Sequence, residues 1–142
     1  MERFINILII DQDPTIRFGL KEILSGGGNN VLTSNSFEEA IPVIKSKEIG
    51  IIIINIDDST DEFTNISALR ENSVLKNNYI IIIKKEDSPN SKLIKGMKRG
   101  AVDYIPHPFH PNLIKSKIDV FKSLYHKDQR IGQLLGNIFP AT

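Results

Sequence analysis

Three isoleucine-rich runs leave this chain few folds to choose from. Ile7-Leu8-Ile9-Ile10 ends at Asp11, Ile51-Ile52-Ile53-Ile54 at Asn55, and Ile80-Ile81-Ile82-Ile83 at Lys84. An aliphatic run without polar alternation suits a strand buried on both faces, since neither side can then meet water. Such strands pair in parallel and need helices over both faces of the sheet. In open sheets of this kind the ligand crevice lies beyond the carboxyl ends of the strands. The terminal residues of the three runs therefore name the chemistry of a site: an acid, an amide and a lysine.

At 142 residues the chain has room for one good core. Its 40% hydrophobic and 25% charged fractions are those of a globular protein. With no cysteine, disulfides and thiolate metal sites are excluded. No apolar run has the length of a membrane span, so no membrane association is expected. The amino terminus lacks a basic stretch followed by an apolar region, and a cytoplasmic location is the default expectation. Charge is unevenly spread. Residues 1–71 carry twelve acidic and six basic side chains, and residues 72–142 carry five and twelve. The basic half lacks the interleaved aromatics of a nucleic-acid platform, so it reads as a solvated face and no nucleic acid is expected as partner.

Helical spacing fills the gaps between the runs. Asp13 and Pro14 suit the N-cap and first turn of a helix carrying Ile16, Leu20, Ile23 and Leu24, which Gly26-Gly27-Gly28 ends. Val31 to Thr33 reads as a short strand. Ser36 with Glu39 has capping-box spacing for a helix through Ala40, Ile41, Val43 and Ile44, although Pro42 sits awkwardly inside it. A third helix holds Phe63, Ile66, Leu69 and Val74. Ser88-Pro89 opens a fourth, with Leu93, Ile94 and Met97, ended by Gly100. Val102 to Ile105 is a fifth strand, and a last helix starts near Pro111 with Ile114, Ile118, Phe121 and Leu124. Strand and helix thus alternate five times. Right-handed crossovers and burial on both faces predict a flavodoxin-like, doubly wound α/β domain with a five-stranded parallel sheet of order 2-1-3-4-5.

That order sets the ends of the first and third strands side by side. Asp11, Gln12 and Asp13 would meet Asn55 and Asp57 there, and grouped carboxylates suit a hard cation such as Mg²⁺.

The segment from Ile7 to Pro14, followed by Arg17 and Leu20, resembles the opening of a response regulator receiver domain. Arg99-Gly100-Ala101-Val102-Asp103-Tyr104-Ile105-Pro106-His107-Pro108-Phe109 resembles the family's Gly-Ala-x-Asp-Tyr-x-x-Lys-Pro-Phe segment. The similarity runs from about Phe4 to Tyr125. It implies an acid pair after the first strand, matched by Asp11 but with Gln12 in the second place. It implies a phosphoacceptor aspartate at the end of the third strand, where Asn55 stands. The Thr or Ser that ends the fourth strand is replaced by Lys84, and the Lys before Pro-Phe by His107. Ser59 and Phe63 replace the Pro and Gly of the loop after the phosphoacceptor. Of the five principal positions, Asp11 alone matches, so the resemblance is to a degenerate receiver.

An amide oxygen is a poor nucleophile toward phosphorus, and Asn55 is not expected to be phosphorylated. Gln12 and Asn55 also withdraw charge from the cation site, so no cofactor is expected beyond weak Mg²⁺ binding at Asp11 and Asp57. Lys84 is expected to project its ammonium toward Asp11 or Asp57 and mimic a bound cation. Asp57, two residues beyond Asn55, is the alternative phosphoacceptor for a two-component phosphorelay. A small anionic ligand or nucleotide beside Lys84 and His107 is a further alternative. His107 and His110 read as loop residues rather than metal ligands. The resemblance implies a cis bond before Pro108 and a switch-like place for Tyr104. Lys92, Lys95, Lys98 and Arg99 form a basic helix face. By the resemblance, the fourth helix, fifth strand and fifth helix would bind protein partners or a second copy.

Residues 126–142 read as a helical linker after a domain over 1–125. Ile131, Leu134, Leu135 and Ile138 have helical spacing, which suggests a coiled-coil-like signalling helix or a segment packed back on the domain. Leu134-Leu135-Gly136-Asn137-Ile138-Phe139-Pro140 resembles the segment that precedes class III nucleotide cyclase domains. The expectation is a non-catalytic, phosphorylation-independent signalling or dimerising module at the amino end of a multidomain protein, with a nucleotide cyclase as the effector suggested beyond Thr142. The sequence names neither its upstream signal or kinase nor its output.

Overall fold

The computed structural model describes residues 4–56, 62–72 and 77–138. Asp57, Ser59 and Val74 lie outside them, as does the Phe63 side chain. Among the described residues five strands alternate with five helices: β1 Ile5–Ile10, α1 Pro14–Leu24, β2 Asn29–Ser34, α2 Phe37–Ser46, β3 Ile49–Asn55, α3 Glu62–Glu71, β4 Tyr79–Lys85, α4 Asn90–Arg99, β5 Asp103–His107 and α5 Pro111–Ile138. The sheet order is β2-β1-β3-β4-β5 with every neighbour parallel, as the alternation of elements predicts.

The isoleucine runs stay unbroken because both faces of the sheet are covered. Successive strand residues point to opposite sides. Ile7, Ile9, Ile51, Ile53, Ile81 and Ile83 pack with Ile16 and Leu20 of α1 and with Ile114 and Ile118 of α5. Leu8, Ile10, Ile52, Ile54, Ile80 and Ile82 pack with Ala40 and Ile44 of α2 and with Ile66 and Leu69 of α3. Each such side chain, at or near zero exposure, contributes about 1.5–3 kcal/mol of transfer free energy.

The caps match their sequence signals. Asp13 accepts from the Thr15 backbone N–H, and Ser36 from that of Glu39. Gly100 closes α4 at a φ of 128°, backbone that side chains with a Cβ rarely adopt. The bond between His107 and Pro108 is cis. Pro42 lies inside α2, where Ala40 and Ile44 anchor the helix despite the missing donor.

Several boundaries differ from expectation; β3 begins two residues early at Ile49 and β4 ends two residues late at Lys85. β2 begins at Asn29, two residues early, because Asn29 and Asn30 pair with Ile5 and Asn6. β5 runs to His107 rather than stopping at Ile105. It is an edge strand, so Pro106 removes no necessary donor and the ladder with β4 continues to Lys85 and His107. α5 continues as one helix from Pro111 to Ile138, through the Tyr125–His126 step expected to divide domain from linker.

Candidate functional site at the carboxyl ends of the strands

Register and parity build the site. Ile10 pairs with Ile54, and Asn55 with Ile83, so Asp11 follows β1 beside the end of β3. Continuing the alternation, Asp11, Asn55 and Lys85 share the side of Ile9, Ile53 and Ile83 that faces α1 and α5. Lys84 falls on the other side, with Ile80 and Ile82.

Asp11 is 3% exposed and Asn55 9%. Asp11 Oδ1 accepts from the Asp13 backbone N–H at 2.8 Å, and Arg17 donates to the Asp11 carbonyl at 2.5 Å. Asp11 Oδ2 and Asn55 Oδ1 are buried without a hydrogen-bond partner. Burial pushes the Asp11 carboxyl above its ordinary 3.8; the Asp13 amide, the Lys85 charge and the Asn55 amide hold it back, while the Asp13 charge adds to the rise. Gln12 and Asp13 are exposed, and Asp13 is occupied as the α1 cap.

Lys84 does not pair with Asp11 as expected. Its ammonium donates to the Ser88 carbonyl at 3.1 Å and to that of Lys85 at 3.4 Å, because strand parity turns it toward the loop before α4. The lysine whose charge bears on Asp11 is Lys85. Asp57, the other expected partner, lies outside the described residues.

His107 pairs with Lys85 at the end of β5, and its ring meets Phe109 edge-on at 4.8 Å. A cleft of about 580 Å³ opens here, lined by Asp13, Ile16, Lys85, Glu86, Asp87, His107 and Pro108. Three carboxylates face one lysine and one histidine, a balance that does not favour an anion. Among the described residues no group of three or more His, Asp or Glu is arranged for a metal ion.

Tyr104 is half-buried, and Lys117 of α5 clamps it. Lys117 Nζ sits 4.5 Å from the ring centroid, donates to the Tyr104 carbonyl at 2.8 Å and pairs with Asp103 at 3.0 Å. No periodic signal joins residues fourteen apart on a strand and a helix, and the sequence reading missed Lys117. On the basic face of α4, Lys95, Lys98 and Arg99 are exposed and Lys92 half-buried. Arg99 donates to Ser67 of α3 at 3.1 Å, so part of that face ties two helices together.

The two unpartnered oxygens make a direct prediction. The folded pKa of Asp11 lies above its unfolded value, so its ionisation at neutral pH costs stability; that cost disappears as pH falls through the folded value toward 3.8. Asp11→Asn keeps an acceptor for the Asp13 amide and adds a donor that can serve Asn55 Oδ1. The variant is expected to be more stable at pH 7, by about 1 kcal/mol, with the gain fading in acid. Thermal melts across that pH range measure it.

Comparison with known proteins agrees with this geometry. The profile of the response regulator receiver domain matches residues 7–119. The chain is 32% identical over 115 residues to the transcriptional regulatory protein YvrH of Bacillus subtilis, covering 80% of this chain and 47% of that protein. It is 29% identical over 109 residues to the chemotaxis protein CheY of Thermotoga maritima, covering 76% of this chain and 89% of CheY. The chain thus spans about half of YvrH and most of CheY. A crystal structure of a putative response regulator from Chloroflexus aurantiacus superposes with a TM-score of 0.75 at 26% identity, over 83% of this chain and 97% of that one.

Proposed function

Because the chain belongs to the response regulator receiver family, we propose that it works as a receiver that signals without phosphorylation at the end of β3. Receivers are signalling modules of two-component systems rather than enzymes, and they act through protein partners. The observation that carries the finer reading is Asn55. It closes β3, where the resemblance puts the phosphoacceptor, buried beside Asp11, and its amide oxygen is no nucleophile toward phosphorus. Lys84, at the place of the family's hydroxyl, is directed to the Ser88 carbonyl.

The family implies Mg²⁺. Among the described residues, Asp11 Oδ2 and Asn55 Oδ1 are the buried oxygens left open to it, one charged and one neutral. That pair suits a weakly held ion, since Mg²⁺ sheds water reluctantly and leans on carboxylates. A bound Mg²⁺ would supply positive charge against a phosphoryl group.

Incubation with acetyl phosphate and Mg²⁺, followed by intact-mass and peptide mass spectrometry, tests the reading. The expected result is an unmodified chain. A phosphoryl group on Asp57 would overturn it in favour of a displaced phosphoacceptor. From the resemblance of Leu134 to Pro140, the effector proposed is a nucleotide cyclase domain, and the reading frame beyond Thr142 tests that directly. Among the described residues no helix is long and apolar enough to cross a membrane.

A further inference from the structure

The inner stripe of α5 changes character where the helix passes the sheet. Ile114, Ile118 and Tyr125 are buried in the core. Beyond them Asp128, Gln129, Gly132 and Gln133 continue the stripe at steps of three and four, with no apolar side chain among them. They face the corner where the chain enters β4, at the end of the sheet away from Asp11 and Asn55. Between the two walls lies an open cleft of about 580 Å³, with Asn77, Asn78 and Tyr79 on the β4 side. It adjoins a second hollow of about 280 Å³ that shares Asn77, Asn78, Tyr125 and Gln129.

The walls are fixed from within, and their charges are already engaged. The Tyr79 hydroxyl donates to Asp128 at 2.5 Å, and the Tyr79 and Phe121 rings lie 5.4 Å apart. Burial and the Asp128 carboxylate push the Tyr79 phenol up to about 12, so it stays a donor at neutral pH. Arg70 donates to the Asn78 carbonyl at 2.8 Å and also to its side-chain oxygen. One cation and one anion, each with a partner, leave this cleft no pull on a phosphate, a carboxylate or an ammonium. What remains are carboxamides. Among the described residues, the side chains of Asn77, Gln129 and Gln133 make no hydrogen bond within the protein. Each offers a donor and an acceptor side by side. Gly132 leaves clearance beside the two glutamines, since a Cβ there would meet nothing within 4 Å.

We propose that this cleft binds an uncharged adenine base or nucleoside, held by the α5 carboxamides against the Tyr79 and Tyr125 rings. A carboxamide matches the adjacent donor and acceptor on the edge of a base, the pairing by which Asn and Gln read adenine. The aromatic rings give the flat face of the base apolar surface. The volume lies in the range of small-molecule sites, with room for a base and one sugar. The lack of unengaged charge selects the nucleoside over its phosphates. A ligand here would touch both the β4 corner and α5 past Tyr125, so its binding would hold the helix extension to the domain. The site is separate from Asp11 and Asn55 and from the cleft at His107. It does not depend on whether the chain is phosphorylated.

Isothermal titration calorimetry of the full chain with adenosine, AMP and ribose tests it. Adenosine is expected to bind with a Kd on the order of 100 μM, AMP no more tightly, and ribose without measurable heat. Gln129→Leu with Gln133→Leu should weaken adenosine binding by about tenfold or more. Gly132→Leu, which puts a side chain into the cleft, should abolish it. All three positions are exposed, so far-UV circular dichroism and the melting temperature of these variants should show an intact domain. Bound adenosine should also slow amide hydrogen exchange in α5 beyond Tyr125. No binding of adenosine up to about 2 mM, tighter binding of AMP, or ribose binding as well as adenosine would each overturn the proposal. So would adenosine binding that survives the cleft variants and is lost in His107→Ala, which would put the ligand at the other end of the sheet.

Discussion

Asn55→Asp should lower the melting temperature at pH 7 by roughly 6–12 °C and make what stability remains depend on Mg²⁺. Asn55 is 9% exposed beside Asp11 at 3%, and Asp11 already sits above its ordinary pKa through burial. A second carboxylate in the same pocket adds a desolvation cost and a like-charge repulsion, together about 2–3 kcal/mol. Lys85 offsets part of this, but it is half-buried at the edge of the pocket and one charge cannot balance two acids. The penalty belongs to the ionised forms. It is fully present above the raised folded values and fades as pH falls toward the unfolded carboxylate range. Mg²⁺ held by the paired carboxylates of the native variant, and not by the unfolded chain, would recover stability in proportion to its binding free energy. The unsubstituted chain should show little such effect, and adding Gln12→Asp should strengthen it. Thermal melts with and without Mg²⁺ at neutral and acid pH decide the matter. An unchanged, Mg²⁺-indifferent melting temperature in Asn55→Asp would show that the pocket is open to water.

Gly96→Ala should destabilise the domain by up to about 2 kcal/mol, against the direction of helix propensity. An exposed glycine inside a helix would gain about 1 kcal/mol on replacement by alanine. Gly96 is a buried residue of α4, and a Cβ there would overlap Cδ1 of Ile82 and come within 3.1 Å of that of Ile56. Ile82 is 2% exposed in a strand packed on both faces, so its side chain has nowhere to turn. Overpacking of this kind costs about 1–3 kcal/mol and outweighs the propensity gain. Ile82→Val removes Cδ1, the atom in the way. In the double variant the two substitutions should therefore be less harmful than their sum, by on the order of 1 kcal/mol. Urea denaturation of the four proteins in that cycle gives the coupling. Strict additivity would mean that α4 moves as a body instead of pressing on β4.

The isoleucine runs made the sheet readable because burial on both faces leaves no alternation, and their polar ends marked the site. The end of β1 at Ile10 was legible, and the Asp13 and Ser36 caps by residue type. β5 was cut short because Pro106 reads as a strand breaker until the strand is known to lie at an edge. Asp11 and Asn55 were legible as the acid and amide at the ends of β1 and β3, which register then joined. Lys84 was misjudged through position alone. Parity carried forward from Ile83 already pointed to Lys85, a signal present in the sequence and not used. The Lys117 clamp on Asp103 and Tyr104 had no such signal, because strand–helix contacts follow from packing and not from a local period.

Hydrophobic pattern and residue chemistry by themselves determined the alternating α/β order, the place of the site and the acid and amide that end β1 and β3. These are properties of strand period and of functional groups, which neighbours in space do not change. The tertiary structure decided which lysine bears on Asp11, which oxygens lie buried without a donor, and that α5 past Tyr125 walls an open cleft. Those depend on burial and direction, which exist once the helices are laid against the sheet.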